Sequence, residues 1–304
     1  MRISQYWASF SFGNSAIKRG GKTLLLLFAL VFCFCCTTCD DSGLSPHEAE
    51  REKRLLALLE IYPESTKDSA SCEAIYALDS PDRYIYRRLP DDPPGTPRFE
   101  YDVPEAILDS MSTRGLLETG LGHPRNAELA PLTVCSSIWR CRESMFSFLM
   151  NVWPAFEKRP DALEECLKRY DKLSVSCEPL TRNVKPVLGG RTIFYVQMQI
   201  TLIEVILTRS AFLHQLSPKV QRKLAAKVLA KLRQADMFYS SELGKTQGLW
   251  LLGALMLYAK DSAFTEETRN NEEVALIARG LVGGHSLQAK SIILAHAERF
   301  AAVK

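Results

Sequence analysis

Residues 192–214, TIFYVQMQITLIEVILTRSAFLH, form the longest apolar run in the body of the chain, and the fold turns on how that run is read. A helix rises about 1.5 Å per residue, so a run of this length would suffice to cross a bilayer. Gln197, Gln199, Glu204 and Arg209 interrupt it, and such groups are expensive in hydrocarbon. The pattern therefore predicts the central helix of a soluble bundle, apolar around most of its circumference because neighbours cover it.

Working outward from that helix, Ser217-Pro218 restarts the chain as a basic helix to about Gln234. Further helices are predicted through 248–260 (GLWLLGALMLYAK), about 266–279 and about 286–302. On the N-terminal side, Pro104 opens a helix over 104–118, Pro154 ends one over 136–153, and Pro160 opens one over 160–171. Residues 172–190 read as irregular.

Nearer the start, Ser45-Pro46-His47-Glu48 combines a Ser N-cap, a first-turn Pro and a Glu placed to complete a capping box. This helix should run to about Ile61, with Leu55, Leu58, Leu59 and Tyr62 as its apolar stripe and Pro63 as its stop. A shorter helix is expected around 72–78. Residues 80–104 then contain Pro81, Pro90, Pro93, Pro94, Pro97 and Pro104, which forbid a continuous helix and favour an extended connector draped over the surface. Within it, Tyr84-Ile85-Tyr86 reads as a short strand or as a hydrophobic clip on the helical body.

No repeat period survives counting. The class is all-α, an irregular multi-helix bundle or short stack of helical hairpins. Three parts are predicted: a signal or anchor segment over 1–39, a juxtamembrane helix and Pro-rich connector over 40–103, and an all-α globular domain over 104–304.

The 304 residues carry 38 Lys+Arg against 35 Asp+Glu, a formal net charge of +3. Residues 1–39 hold Arg2, Lys18, Arg19 and Lys22 and no acid, so that segment is +4 and the remainder is −1. The mild basicity is thus an N-terminal property, and it implies no nucleic-acid partner. After those cations comes LLLLFALVFCFCC, residues 24–36, then Thr37-Thr38-Cys39-Asp40. Thirteen apolar residues fall short of the roughly 20 that a helical span needs.

This arrangement resembles a bacterial lipoprotein signal, in which a hydrophobic run ends in small residues and a Cys that is diacylated and becomes the new N-terminus. Thr37 fits that pattern, while Thr38 stands where Gly, Ala or Ser is usual and Cys36 where Leu is usual. The resemblance implies lipid attachment at Cys39 and a place in the cell envelope. Asp40 resembles an inner-membrane retention signal, facing the periplasm. Two acyl chains give stable anchoring where one is marginal. An uncleaved short anchor helix and ordinary cleavage to an exported protein are the alternatives.

Two residues raise the question of catalysis. Gly284-His285-Ser286-Leu287-Gln288 resembles the nucleophile elbow of lipases and thioesterases with Ser286 as nucleophile. Gln288 departs from the second Gly, and too little chain follows for the acid and His that come after the Ser in those enzymes. Ser286 as a helix N-cap explains the same residues. Glu204, inside an apolar run, is the other candidate, since a carboxylate held there has a raised pKa suited to general acid work. Cell-wall lytic enzymes place a Glu on a helix of an all-α domain in this way. The plainer expectation puts Glu204 on an exposed edge, or pairs it with Arg209 or Thr208.

The five His residues show no local metal-ligand spacing with Cys, Asp or Glu, and Gly244-Lys245-Thr246 lacks the first Gly of a phosphate-binding loop, so no metal or cofactor is predicted. Cys72, Cys135, Cys141, Cys166 and Cys177 lie beyond the signal, an odd number. Pairs 166–177 and 135–141 are conceivable bridges, and isolated buried thiols are the alternative.

The sharpest periodic feature is Lys219, Lys223, Lys227 and Lys231, every fourth residue, with Arg222 and Arg233 close by, opposite or beside an apolar row of Leu216, Val220, Leu224, Val228 and Leu232. A cationic face on a tethered protein suits anionic lipid or an acidic partner. The simpler reading is the solvated side of an amphipathic helix. Together these features predict a membrane-tethered envelope lipoprotein that acts by binding or scaffolding, with a cell-wall or lipid hydrolase using Glu204 or Ser286 as the alternative.

Overall fold

The computed structural model describes residues 45–62, 69–87, 102–124, 126, 145–146, 151–174, 191–238, 248–281 and 286–303, which form thirteen helices and no strand. The all-α class holds. By contacts the chain divides into Met1–Arg51 and Glu52–Lys304. The predicted signal segment with Cys39, most of the helix predicted over 136–153, the Pro-rich residues 88–101, and Cys135, Cys141 and Cys177 all lie outside the described residues.

In chain order the helices are α1 (Pro46–Leu58), α2 (Ser69–Tyr76), α3 (Glu105–Ser110), α4 (Thr113–Leu121), α5 (Val152–Glu157), α6 (Ala162–Lys172) and α7 (Arg191–Leu207). The remainder are α8 (Ser210–Leu213), α9 (Pro218–Phe238), α10 (Leu249–Tyr258), α11 (Ser262–Asn270), α12 (Glu272–Ala278) and α13 (Leu287–Ala302).

The capping box forms at α1 as predicted. Glu48 accepts from the Ser45 N–H at 2.9 Å, and the Ser45 hydroxyl accepts from the Glu48 N–H at 3.3 Å.

The 192–214 run is not one helix, since a break at Thr208 and Arg209 divides it into α7 and the short α8; α7 is the central element, and from Gln199 to Thr208 every residue but Thr201 is buried. It packs on α6 on one side and α10 on the other, so it connects two helical groups. In the first, α4 packs on α5 and α6. In the second, α10 is surrounded by α9, α11, α12 and α13. LWLLGALMLY has no polar face, and a helix apolar all round must be enclosed. Among the described residues no helix is long and apolar enough to cross a membrane.

Several boundaries differ from expectation, each for a local reason. The helix predicted over 104–118 is two, because the Ser112 hydroxyl accepts from the Gly115 N–H at 2.9 Å and starts α4 afresh. Asn271 does the same to the Val274 N–H at 3.2 Å, splitting the predicted 266–279 helix into α11 and α12. Pro154 does not terminate a helix. It sits in the first turn of α5, where its missing N–H has no intrahelical role. Ser286 caps α13, accepting from the Ala289 N–H at 3.1 Å.

The chain from Asp79 to Arg87 forms no strand. It is a clip on α4. Asp82 accepts from the Ser80 hydroxyl at 2.6 Å and the Ser112 N–H at 2.5 Å, and its carboxylate fills the space a Cβ on Gly115 would occupy. Partial burial works against the charge, yet the bonds from Ser80 and Ser112 hold the Asp82 carboxyl below its usual range. The Tyr84 N–H donates to Thr119 at 2.9 Å, and Tyr86 packs edge-on against His123. Asp82→Ala is expected to free this clip, costing about 1–3 kcal/mol for the lost charge-assisted bonds. Limited proteolysis should then cut first between 79 and 87; unchanged protection there would refute the role of Asp82.

Candidate functional site

α4 and α6 enclose a cleft of about 470 Å3. Leu58 and Leu117 supply its apolar part and charged side chains most of the rest. From α4, the buried Glu118 accepts from Arg114 Nε at 2.9 Å and from the Ser80 N–H at 2.6 Å. Arg114 also reaches Asp79, and its bond to Glu118 pushes the guanidinium further up.

From α6, acids Glu164 and Glu165 occupy the first turn and bases Arg169 and Lys172 the last, an order that suits the helix dipole. One wall of the cleft therefore runs from Asp161 and Glu165 to Arg169 and Lys172. Lys168 bridges the middle, donating to Glu165 at 2.8 Å with Glu164 at 3.1 Å. Among the described residues Lys172 has neither hydrogen bond nor ion pair.

The basic end of this wall is tied from behind by four polar contacts, from residues 169, 170, 171 and 173. Arg169 donates to Gln199 of α7 at 2.6 Å, and Tyr170 donates to Glu204 of α7 at 2.9 Å. Asp171 pairs with Lys227 of α9, and the Leu173 carbonyl accepts from Lys231 of α9.

These contacts correct the reading of the lysine row. Lys227 and Lys231 are each only 6% exposed. Both follow an apolar residue by three positions, Leu224 and Val228, so they lie on the flank of the stripe where α6 packs. Their stems cover apolar surface while the ammonium groups reach carbonyls, Lys227 reaching that of Glu60 at 2.6 Å. Lys219, Arg222 and Lys223 lack an ion pair among the described residues, with Lys219 and Lys223 exposed. Arg233 is exposed and pairs with Glu298 at 2.6 Å, a contact worth little in solvent. The six residues do not form one continuous solvated face.

Glu204 is on no exposed edge, and Arg209 pairs with Glu157 instead, at 2.9 Å through each of two nitrogens. Glu204 is 2% exposed. Burial pushes its carboxyl up to about 8, although Tyr170, Lys231 and the Gly248 N–H favour the anion. Gly248 reaches it with φ +80, and a Cβ there would lie 2.8 Å from Val228, so the close approach and the left-handed backbone both require glycine. Oε1 takes the Tyr170 bond, and among the described residues Oε2 has no partner. Glu204 is not among the residues lining the cleft.

Ser286 caps a helix, and its hydroxyl donates to Glu273 at 2.6 Å. His296 lies on the helix Ser286 opens, ten residues on, about 15 Å along the axis. The elbow-like arrangement is not assembled. Cys166 is a free, fully buried thiol whose pKa burial pushes up, and its predicted partner Cys177 lies outside the described residues.

The cleft itself was not singled out from sequence, although the graded charge of Asp161–Lys172 was visible there. No family model, no curated protein and no solved structure matches this chain.

Proposed function

We propose that this chain is a membrane-tethered protein of the bacterial cell envelope that acts by binding, with the α4–α6 cleft as its binding site and a lipid on Cys39 as its tether. The observation that carries the binding reading is the way the charges of the cleft are fixed in advance. Glu118 and Arg169 are buried and bonded to backbone groups, Ser80 N–H and the Ala77 carbonyl respectively. Preorganised groups lose little freedom on association, so more of the contact energy appears as affinity.

The tether reading rests on LLLLFALVFCFCC followed by Thr37-Thr38-Cys39-Asp40. Lys219, Arg222 and Lys223 would add attraction to anionic headgroups, about 1 kcal/mol for each cation held near the surface. A hydrolase reading receives less support, because Glu204 faces Tyr170 and Gly248 inside the core and Ser286 serves as a cap.

The tether is tested by intact mass of the membrane-fraction protein. The wild type should begin at Cys39 and carry acyl groups, and Cys39→Ser should leave the membrane fraction; unchanged mass with continued retention would end the lipid reading. The cleft is tested by placing a photo-crosslinking residue at Lys172 in cells, with the exposed Ser291 as control. Discrete adducts are expected from position 172 alone, and equal yields at both positions would refute a specific site.

A further inference from the structure

We infer that Glu204 is a proton-operated latch on the cleft: protonated, it seats the basic end of the α6 wall against α7 and α9, and on losing its proton it releases that end. The inference rests on the cleft being the binding site, whose regulation it describes.

The geometry is that of a group placed behind a wall. Tyr170, fully buried, follows Arg169 of the cleft directly in sequence, and its hydroxyl meets Glu204 Oε1 of α7. Three elements face Glu204. From α6 comes Tyr170, from α9 comes Lys231, and at the head of α10 comes the Gly248 N–H. Lys231 is committed to the Leu173 carbonyl and lies 5.2 Å from the centre of the Tyr170 ring. No described carboxylate besides Glu204 contributes to this cluster.

A carboxylate anion presents about four lone-pair sites, and a buried anion must have them served. Among the described residues Oε2 has no partner here, although Oε1 is served by Tyr170. The neutral acid tolerates this arrangement better than the anion does. Once the proton passes to bulk water, Oε2 requires solvent, and Tyr170 is the α6 side chain bonded to this carboxyl. Withdrawing Tyr170 moves Arg169 and Asp171 with it, because they flank it in one helical turn. The contacts Arg169–Gln199 and Lys227–Asp171 then loosen together, and the basic end of the cleft loses its fixed position.

The experiment is hydrogen–deuterium exchange on the full chain from pH 6 to 9.5, corrected for the intrinsic pH dependence and followed over residues 166–174 and, as control, 289–297. In the wild type, protection of 166–174 should fall at least tenfold between about pH 7 and 9 while 289–297 stays constant. Glu204→Gln should abolish the fall. Tyr170→Phe keeps the ring but removes the bond that holds the seated wall, so it should move the midpoint to lower pH; it decides the matter if Glu204→Gln does not fold. A flat wild-type profile, an equal fall in Glu204→Gln, a parallel fall over 289–297, or a midpoint unmoved or raised in Tyr170→Phe would each overturn the latch. No ligand enters this measurement, so a failure of the cleft as a binding site, read by crosslinking at position 172, is distinguishable from a failure of the latch.

Discussion

The wild-type chain is expected to lose roughly 1.4 kcal/mol of stability per pH unit between about 4.5 and about 8 relative to Glu204→Gln. The sign follows from proton counting. Glu204 has its pKa raised from an ordinary value of 4.5 to about 8 in the folded chain. Between those limits the folded state holds one proton that the unfolded state has released, so raising the pH favours unfolding. The contribution is complete below 4.5 and is lost as the pH passes through 8. Across the full window the loss is about 5 kcal/mol, comparable to the whole stability of a marginal domain. His296, whose pKa burial lowers, contributes the opposite slope near its own ordinary value of 6.5, because there the unfolded state binds the extra proton. That term is common to wild type and variant. The measurement is therefore the difference between their urea midpoints from pH 5 to 9, and a difference independent of pH would refute a buried, protonated Glu204.

Trp153→Ala is expected to destabilise the chain by about 3–5 kcal/mol. Trp153 is 0% exposed, and its ring lies flat enough on α4 that a Cβ on Gly120 would come within 2.5 Å of it. Phe156 meets it edge-on at 6.0 Å and Phe146 lies at 6.1 Å. Removing the ring leaves a cavity between two helices that the backbone can only partly close. For a unit of this size the thermal midpoint should fall by about 10 °C or more. The Gly120 contact supplies a second check. Gly120→Ala alone should be destabilising by collision, and combined with Trp153→Ala it should cost much less than the sum, since the collision partner is gone. Strict additivity would show that the two residues do not share this contact.

Where the pattern is local, sequence reading succeeded. The central helix within 192–214, whose break after Leu207 was not foreseen, the box at Ser45 and Glu48, and Ser286 as a cap each depend on residues within a turn or two of one another. It failed where a side chain's fate is decided by a distant partner. Lys227 and Lys231 look like any other members of a basic row until Glu60, Asp171 and Leu173 are known to lie against them. Glu204 reads as an interruption of an apolar helix until Tyr170 and Gly248 close over it. The cleft combines α4 and α6, and neither helix by itself reveals a concavity. Ser112 and Asn271 could have been read as caps, but the longer apolar periodicity around each of them masked the break.

The bond from Lys227 to the Glu60 carbonyl joins residues 167 positions apart. A translating ribosome must therefore deliver about three quarters of the chain before the last turn of the first helix is locked against the rest. Leu55 and Leu59, buried in the finished core, wait that long for part of their cover. Under the proposed export, the leading part would stay without this lock until about three quarters of the chain has crossed.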